Sequence, residues 1–327
     1  MTILGLGAVA IDELLYVDRY PPADSKVEVR RRQRQCGGLT GTALVAAARL
    51  GARCAYVGML GDDELSRIVL ENFAREGIDT AHCVRRPDAR PGHSVIIVDL
   101  ATKTRTIFSH VAGFMGPDPR LPEAGQIRAA SVLLVDHHGL EGTIRAARIA
   151  RAAGVRVVAD FERDPGPPFA ELLGLVDHLV ISERFARALT GRPDAPSAAQ
   201  ALWTADREAV VITCGASGCW YLGEEAAKGP HHCPAFSVEV VDTTGCGDVF
   251  HGAYAAALAE WQGLSERVRF ASGAAALKAT HAGGQAGIPG RSVVERFLAD
   301  RSLRQAENST GQSQIRSTKS EIRNKSE

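Results

Sequence analysis

Val238-Glu-Val-Val-Asp-Thr-Thr-Gly-Cys-Gly-Asp-Val-Phe-His-Gly-Ala-Tyr254 runs from a β-branched segment through a turn of small residues into a helix that opens with an acid. Phe236 to Val241 alternates as a strand does, Thr244 to Gly247 can turn tightly with bare backbone N–H groups, and Val249 to Ala259 reads as a tightly packed helix. Unpaired N–H groups in the first turn of a helix, backed by its dipole, suit a phosphate. Asp248 falls in that turn, where a carboxylate can accept the proton of a hydroxyl attacking the phosphate. A plainer reading has Thr244 capping the helix and Asp248 offsetting its dipole. Strand, turn and acid together favour the anion site.

The rest of the chain is of ordinary globular composition. Of 327 residues 45% are hydrophobic and 23% charged, with Lys+Arg and Asp+Glu balanced at 38 each, which predicts a soluble protein with no nucleic-acid partner. No basic region precedes a long apolar segment at the N-terminus and no apolar run approaches membrane-spanning length, so no membrane partner and a cytoplasmic location are expected. Cysteines at positions 36, 54, 83, 214, 219, 233 and 246 are scattered, without a C-x-x-C pair, as reduced thiols are. His137-His138 and His231-His232-Cys233 lack a second ligand pair at zinc-like spacing.

Ile3 to Ile11 reads as one apolar strand carrying Gly5-Leu-Gly-Ala-Val-Ala10, a partial dinucleotide fingerprint. The chain continues as extended structure through Asp12 to Pro21-Pro22, where a dinucleotide site needs a helix. Lys26 to Gln35, with Arg30-Arg-Arg-Gln-Arg34, reads as a charged strand with a solvated face. Gly37-Gly38 precedes a helix that ends at Gly51 and lets a ligand approach the backbone. Cys54 to Leu60 and the helix to Gly77 form a βα unit, and Ser94 to Leu100 with Thr104 to Ser109 a hairpin. From residue 130 strands alternate with helices: Val132 to Asp136, Val155 to Asp160, Val176 to Ser182 and Val210 to Thr213 are the strands. That alternation specifies a mainly parallel sheet with helices on both faces and ligands at the strands' carboxyl ends. Ser265 to Thr280 is an alanine-rich helix, and the polar tail from about Arg304 reads as disordered.

Asp242-Thr-Thr-Gly-Cys-Gly-Asp248 resembles the second signature, D-T-x-G-A-G-D, of the ribokinase-like (PfkB) sugar kinases, with Cys246 for the usual Ala. Cys36-Gly-Gly-Leu-Thr-Gly-Thr-Ala43 resembles their first signature, G-G-x-x-x-N-x-A, with Thr42 for the Asn. The resemblance covers residues 3 to 300. It implies an α/β fold, a three-layer α/β/α sandwich with a mainly parallel central sheet and a small β lid. The kinase domain would span 1–303, with lid segments near 12–35 and 93–110 and the tail over 304–327. It implies transfer of the ATP γ-phosphoryl group to a primary hydroxyl, with Mg²⁺ neutralising the phosphates. No Walker A sequence is present, which sets aside a P-loop kinase.

Carried over residue by residue, the resemblance makes Asp248 the base and the amides of Gly245, Cys246 and Gly247 the anion hole. Asp12, Gly37, Gly38 and Thr42 would bind the sugar, with Arg105 and Ser109 from the lid and His138 at its far end. Ser182, Thr213, Gly215, Gly218, Thr243 and Gly283 would line the nucleotide side. Backbone carbonyls at Asp242 and Thr244, with the segment after Thr280, would hold a monovalent cation, K⁺. Ser182-Glu-Arg-Phe185 departs from the family's N-x-x-E, which leaves the Mg²⁺ ligands unassigned. Thr42-Ala-Leu-Val-Ala-Ala-Ala-Arg-Leu-Gly51 and Gly283-Gly-Gln-Ala-Gly-Ile-Pro289 resemble the sulfofructose kinase branch of the ketohexose kinases. His138 and Ser109 stand where that branch places an Arg and an Asn. The implied substrate is a ketohexose or related furanose, neutral or in a 6-sulfo or 6-phospho form. A kinase of another sugar or nucleoside, a catalytically weak sugar sensor and a nicotinamide-dependent dehydrogenase are the alternatives. A homodimer through the lid edge is expected.

Overall fold

The chain opens as β1 (Thr2–Leu6), swings away at Gly7 into β2 (Ala10–Val17) and returns as β3 (Arg31–Gly37). The computed structural model describes residues 2–102, 104–260 and 263–301, so the expected polar tail lies outside the described residues. After β3 come α1 (Leu39–Arg49), β4 (Arg53–Tyr56), β5 (Met59–Leu60), α2 (Glu64–Arg75), β6 (Val84–Arg85), β7 (Gly92–Asp99) and β8 (Thr104–His110). Alternation then takes over: α3 (Ala124–Arg128), β9 (Val132–Asp136), α4 (Leu140–Ala152), β10 (Arg156–Phe161), α5 (Phe169–Gly174) and β11 (His178–Ser182). Next are α6 (Glu183–Thr190), α7 (Ala195–Leu202), β12 (Ala209–Thr213), β13 (Cys219–Leu222), β14 (His231–Cys233), α8 (Cys246–Glu260) and α9 (Leu264–Ala279).

Eight strands form the central sheet in the order β14-β13-β12-β11-β10-β9-β1-β4. It is parallel except for β13 and β14, which return antiparallel at one edge. Successive side chains of a strand point to opposite faces, and here both faces are apolar. Val132 and Leu134 of β9 join one core with α1, α8 and α9, while Leu133 and Val135 join the other with α4 to α7. The result is the expected three-layer α/β/α arrangement.

α8 is built from small residues because it lies between neighbours on two sides. A Cβ at Gly252 would sit 2.1 Å from the Ala43 carbonyl oxygen and 2.9 Å from Ala46 Cβ of α1. This close contact holds α8 under the carboxyl ends of the strands, with its amino terminus at the cleft.

A separate four-stranded sheet, β3-β2-β7-β8, forms the lid, with β2 parallel to β7 and the outer pairs antiparallel. Its basic strand is tied down: Arg32 and Arg34 both pair with the buried Glu13, Arg34 reaches Glu64, and Arg30 reaches Asp18 at 2.6 Å. Arg31 lies over the Tyr16 ring at 3.9 Å.

Three sequence expectations need correction. Ile3 to Ile11 is two strands, because β1 stays in the central sheet while β2 peels away into the lid. Only the Arg31–Gly37 part of the basic stretch is paired. Phe236 to Val241 joins no ladder: Val240 and Val241 are 57% and 58% exposed, and the Val241 amide donates to Ala279 O at the end of α9 (2.8 Å). Alternation there records an extended surface segment without a strand partner.

If the α1 contact positions α8, Gly252→Ala must push the two helices apart. The expected loss is about 1–3 kcal/mol of unfolding free energy. Chemical denaturation checks it, and an unchanged midpoint would show that the contact yields freely.

Candidate active site

The turn between residue 241 and α8 is fixed by Asp242. One carboxylate oxygen accepts from the Thr244 amide and the other from the Gly283 amide, both at 2.8 Å. Gly245 then takes φ +75°, which favours glycine, and the Val249 amide bonds back to Gly245 O at 2.9 Å. The Cys246 amide is engaged by Thr243 O at 3.2 Å. Among the described residues, the amides of Gly245, Gly247 and Asp248 donate to no protein group. The unpaired amides are thus those of Gly245, Gly247 and Asp248, while that of Cys246, expected alongside Gly245 and Gly247, bonds within the turn.

Asp248 lies in the first turn of α8, with other carboxylates for electrostatic neighbours. Burial, together with Asp160, Glu162, Asp12 and Asp136, raises its carboxyl well above the ordinary range. Asp160, adjacent to Asp136 in the β9–β10 register, is raised likewise by burial and by Glu162 and Asp136. Asp136 behaves differently. Burial alone would raise it, yet it is held low by His138 and by the Ala8 amide, which reaches it at 2.6 Å. Thr40 Oγ1 (2.9 Å) and the His138 amide (2.8 Å) complete its shell. Gly7 makes room for this carboxylate, because a Cβ there would lie 2.2 Å from Asp136 Oδ2. Asp136 is thus favoured in its ionised form, whereas burial and neighbouring carboxylates favour the neutral forms of Asp160 and Asp248.

The lid supplies a polar row above this floor. Gln35, Asp12, Ser94 and Ser109 are successive partners across β3, β2, β7 and β8, and so share one face. Gly37 leaves space for Asp12, whose Oδ2 would lie 2.4 Å from a Cβ at that position. Gln35 Oε1 accepts from the Gly284 amide at 3.1 Å, joining the row to the loop after α9, and Gln35 Nε2 is buried with no partner. Arg105 of β8 donates to Thr243 Oγ1 at 3.2 Å, so the lid also touches the turn. Sequence reasoning passed over Gln35, whose role shows only when β3 is brought beside residue 284.

The remaining expected residues separate into two groups. Gly38 takes φ +87° where a Cβ would strike the Val9 and Ala8 backbone, so it allows α1 to start close under β2. Thr42 is buried, and its hydroxyl accepts from Gln285 Nε2 at 3.3 Å, which leaves its own O–H free to donate. His138 Nδ1 lies 3.1 Å from Asp136. On the other side, Ser182 and Thr213 are register partners at the ends of β11 and β12. Ser182 Oγ caps α6 through the Phe185 amide (3.3 Å), and Gly215 opens a tight turn with free space around it. Gly218 has a packing reason, since a Cβ would meet Cys233 O at 2.1 Å. Thr243 is exposed beside Arg105, and Gly283 is spent on Asp242.

A helix amino terminus with free amides, a carboxyl of raised pKa beside it and a hydrogen-bonding lid is a phosphoryl-transfer arrangement. The pfkB family carbohydrate kinase model matches residues 3–291. The chain belongs to that family. The ribokinase of Haemophilus influenzae is 31% identical over 311 residues, 91% of this chain and 98% of that protein. The solved ribokinase of Thermotoga maritima is 26% identical with a TM-score of 0.77, covering 91% and 99% of the two chains. The Arabidopsis thaliana ribokinase solved with ribose and ATP shares the fold, with a TM-score of 0.78 at 24% identity. This pfkB protein is accordingly a carbohydrate kinase, an ATP-binding phosphotransferase. The nicotinamide reading of Gly5-Leu-Gly7 is overturned, because Gly5 and Leu6 are strand residues and Gly7 serves Asp136.

The raised Asp248 carboxyl has a stability consequence of definite sign. A group whose folded pKa lies above its unfolded value stabilises the fold at low pH, and the benefit is lost as pH rises through the folded pKa. Asp248→Asn is therefore expected to melt at or above the parent temperature at neutral pH while kcat falls by about 10²–10⁴. Thermal melts with steady-state assays check both. Near-normal turnover would reduce Asp248 to a helix-start residue.

Proposed function

We propose that the enzyme transfers the γ-phosphoryl group of MgATP to the primary hydroxyl of a neutral furanose sugar, ribose first and a ketohexose second. The observation that carries this reading is the position of Asp248, whose carboxyl lies beside the free amides of Gly245 and Gly247. A sugar hydroxyl seated there loses its proton to Asp248 as it attacks. The α8 terminus meanwhile stabilises the charge on the transferred group. Asp12, Ser94 and Gln35 offer the mixture of acceptors and donors that sugar hydroxyls need.

Mg²⁺ fits the acidic side of the cleft. Asp160 Oδ2 is buried without a hydrogen-bond partner, with His251 Nδ1 3.2 Å away, and with Glu162 it would hold an ion that arrives with the nucleotide, mostly through water. The ion would neutralise the phosphates and favour the ionised form of Asp248. Ser182, Thr213 and Gly215, at and just after the carboxyl ends of β11 and β12, would face the nucleotide.

A 6-sulfo or 6-phospho ketohexose is the weaker reading. His138 is committed to Asp136, the Arg30 to Arg34 strand to acids and Tyr16, and Arg105 to Thr243. An anionic substituent would meet the carboxylates of Asp12 and Asp136 without a ready cation. A homodimer through the lid is also proposed, because all seven residues of edge strand β8 are exposed, with Ile107 50% and Phe108 54% accessible.

A coupled ADP-release assay over ribose, fructose, nucleosides and 6-sulfofructose tests the substrate. Ribose is expected to exceed the acidic sugar by at least about tenfold in kcat/KM, the worth of one hydrogen bond. Preference for the acidic sugar would overturn the neutral reading and leave the kinase in place.

A further inference from the structure

Lys278, near the end of α9, is fully buried, and its ammonium donates to the Asp242 carbonyl oxygen at 2.8 Å. No carboxylate lies within ion-pair distance of it among the described residues. A buried ammonium with one neutral acceptor is costly unless an anion completes its surroundings. Burial and the Arg105 guanidinium lower its pKa, opposed by Cys246 and by the carboxylates of Asp242 and Asp248, so the acids nearest to it belong to the turn before α8.

This is the region where the family resemblance places a monovalent cation on the backbone carbonyls of Asp242 and Thr244, and the first of these faces an ammonium instead. Asp242 O is taken by Lys278, Thr243 O by the Cys246 amide, and Ala279 O by the amides of Val241 and Asp242 (2.8 and 3.1 Å). An ammonium carries the same charge as K⁺ and is nearly its size, and this one is tethered.

We propose that the Lys278 ammonium, seated on the Asp242 carbonyl behind the Gly245 to Asp248 cradle, is the built-in cation of the site. The enzyme then needs no monovalent metal ion. The inference rests on the kinase reading for its role: a fixed positive charge behind the turn adds to the helix dipole where the phosphoryl group gathers negative charge. Arg105, on the opposite side of Thr243, is a second cation on the same turn but comes from the lid.

The test compares KCl with choline chloride at equal ionic strength. For the parent enzyme, kcat/KM, MgADP affinity by calorimetry and melting temperature are each expected to be indifferent to the salt, with any affinity change below about twofold. Lys278→Met is expected to lose about 10²-fold or more in kcat in either salt. Lys278→Ala frees the carbonyl and leaves a cation-sized space. There KCl, unlike choline chloride, is expected to restore at least about tenfold of the activity and to raise the melting temperature, because an ion bound only by the folded state stabilises it. Lys278→Arg, which keeps the charge, should remain salt-independent. Tenfold stimulation of the parent by K⁺, or a melting shift specific to K⁺ in the parent, would overturn the proposal even if the alanine variant did not fold. If no sugar is phosphorylated in any salt, the kinase reading fails, while the melting and calorimetric comparisons still decide the question of the cation.

Discussion

Asp242 ties three segments together, and the site depends on that knot. Its carboxylate binds the Thr244 amide on its own turn and the Gly283 amide beyond α9, while its carbonyl receives Lys278 from α9. These bonds decide which amides are left over. With Asp242 bound to Thr244 and Gly283, the chain must reverse at Gly245, and the first turn of α8 presents its free N–H groups to the cleft. The small residues of α8 then let it press against α1 closely enough to bring that end under the lid.

Around the knot the charges are arranged in opposition. On the strand side, hydrogen bonds and the neighbouring histidines hold Asp136 toward its ionised form, while burial with Glu162 and Asp136 pushes Asp160 up and burial with Asp160 and Glu162 pushes Asp248 up. On the helix side stand the dipole of α8 and the ammonium of Lys278. A phosphoryl group entering between them meets positive potential on one face and a proton acceptor on the other. Such a site is poorly balanced when empty and better balanced with metal-bound nucleotide in it, which couples binding of the donor to ionisation of the base.

Much of this was legible in the sequence because local chemistry dictated it. The strand–helix alternation after residue 130 implied a parallel sheet covered on both faces, and the small residues from Asp242 to Asp248 implied a tight turn that opens a helix at an acid. What escaped the sequence depended on distant partners. Gly7 reads as part of an apolar strand until Asp136 is folded against it. Phe236 to Val241 has strand chemistry but no neighbour to pair with. Thr42 reads as one residue of a helix opening, and nothing local says that Gln285, 243 residues away, donates to its hydroxyl. Lys278 sits in an alanine-rich helix like any solvated lysine, and nothing local says that its side chain turns inward to Asp242.

The central claim is that phosphoryl transfer takes place between Asp248 and the α8 amides. A crystal structure with ribose, MgADP and aluminium fluoride measures this directly. The fluoride is expected on the amides of Gly245 and Gly247, with the sugar's primary hydroxyl within hydrogen-bond reach of Asp248. A complex in which that hydroxyl bonds elsewhere, or the fluoride lies away from the α8 terminus, would contradict it.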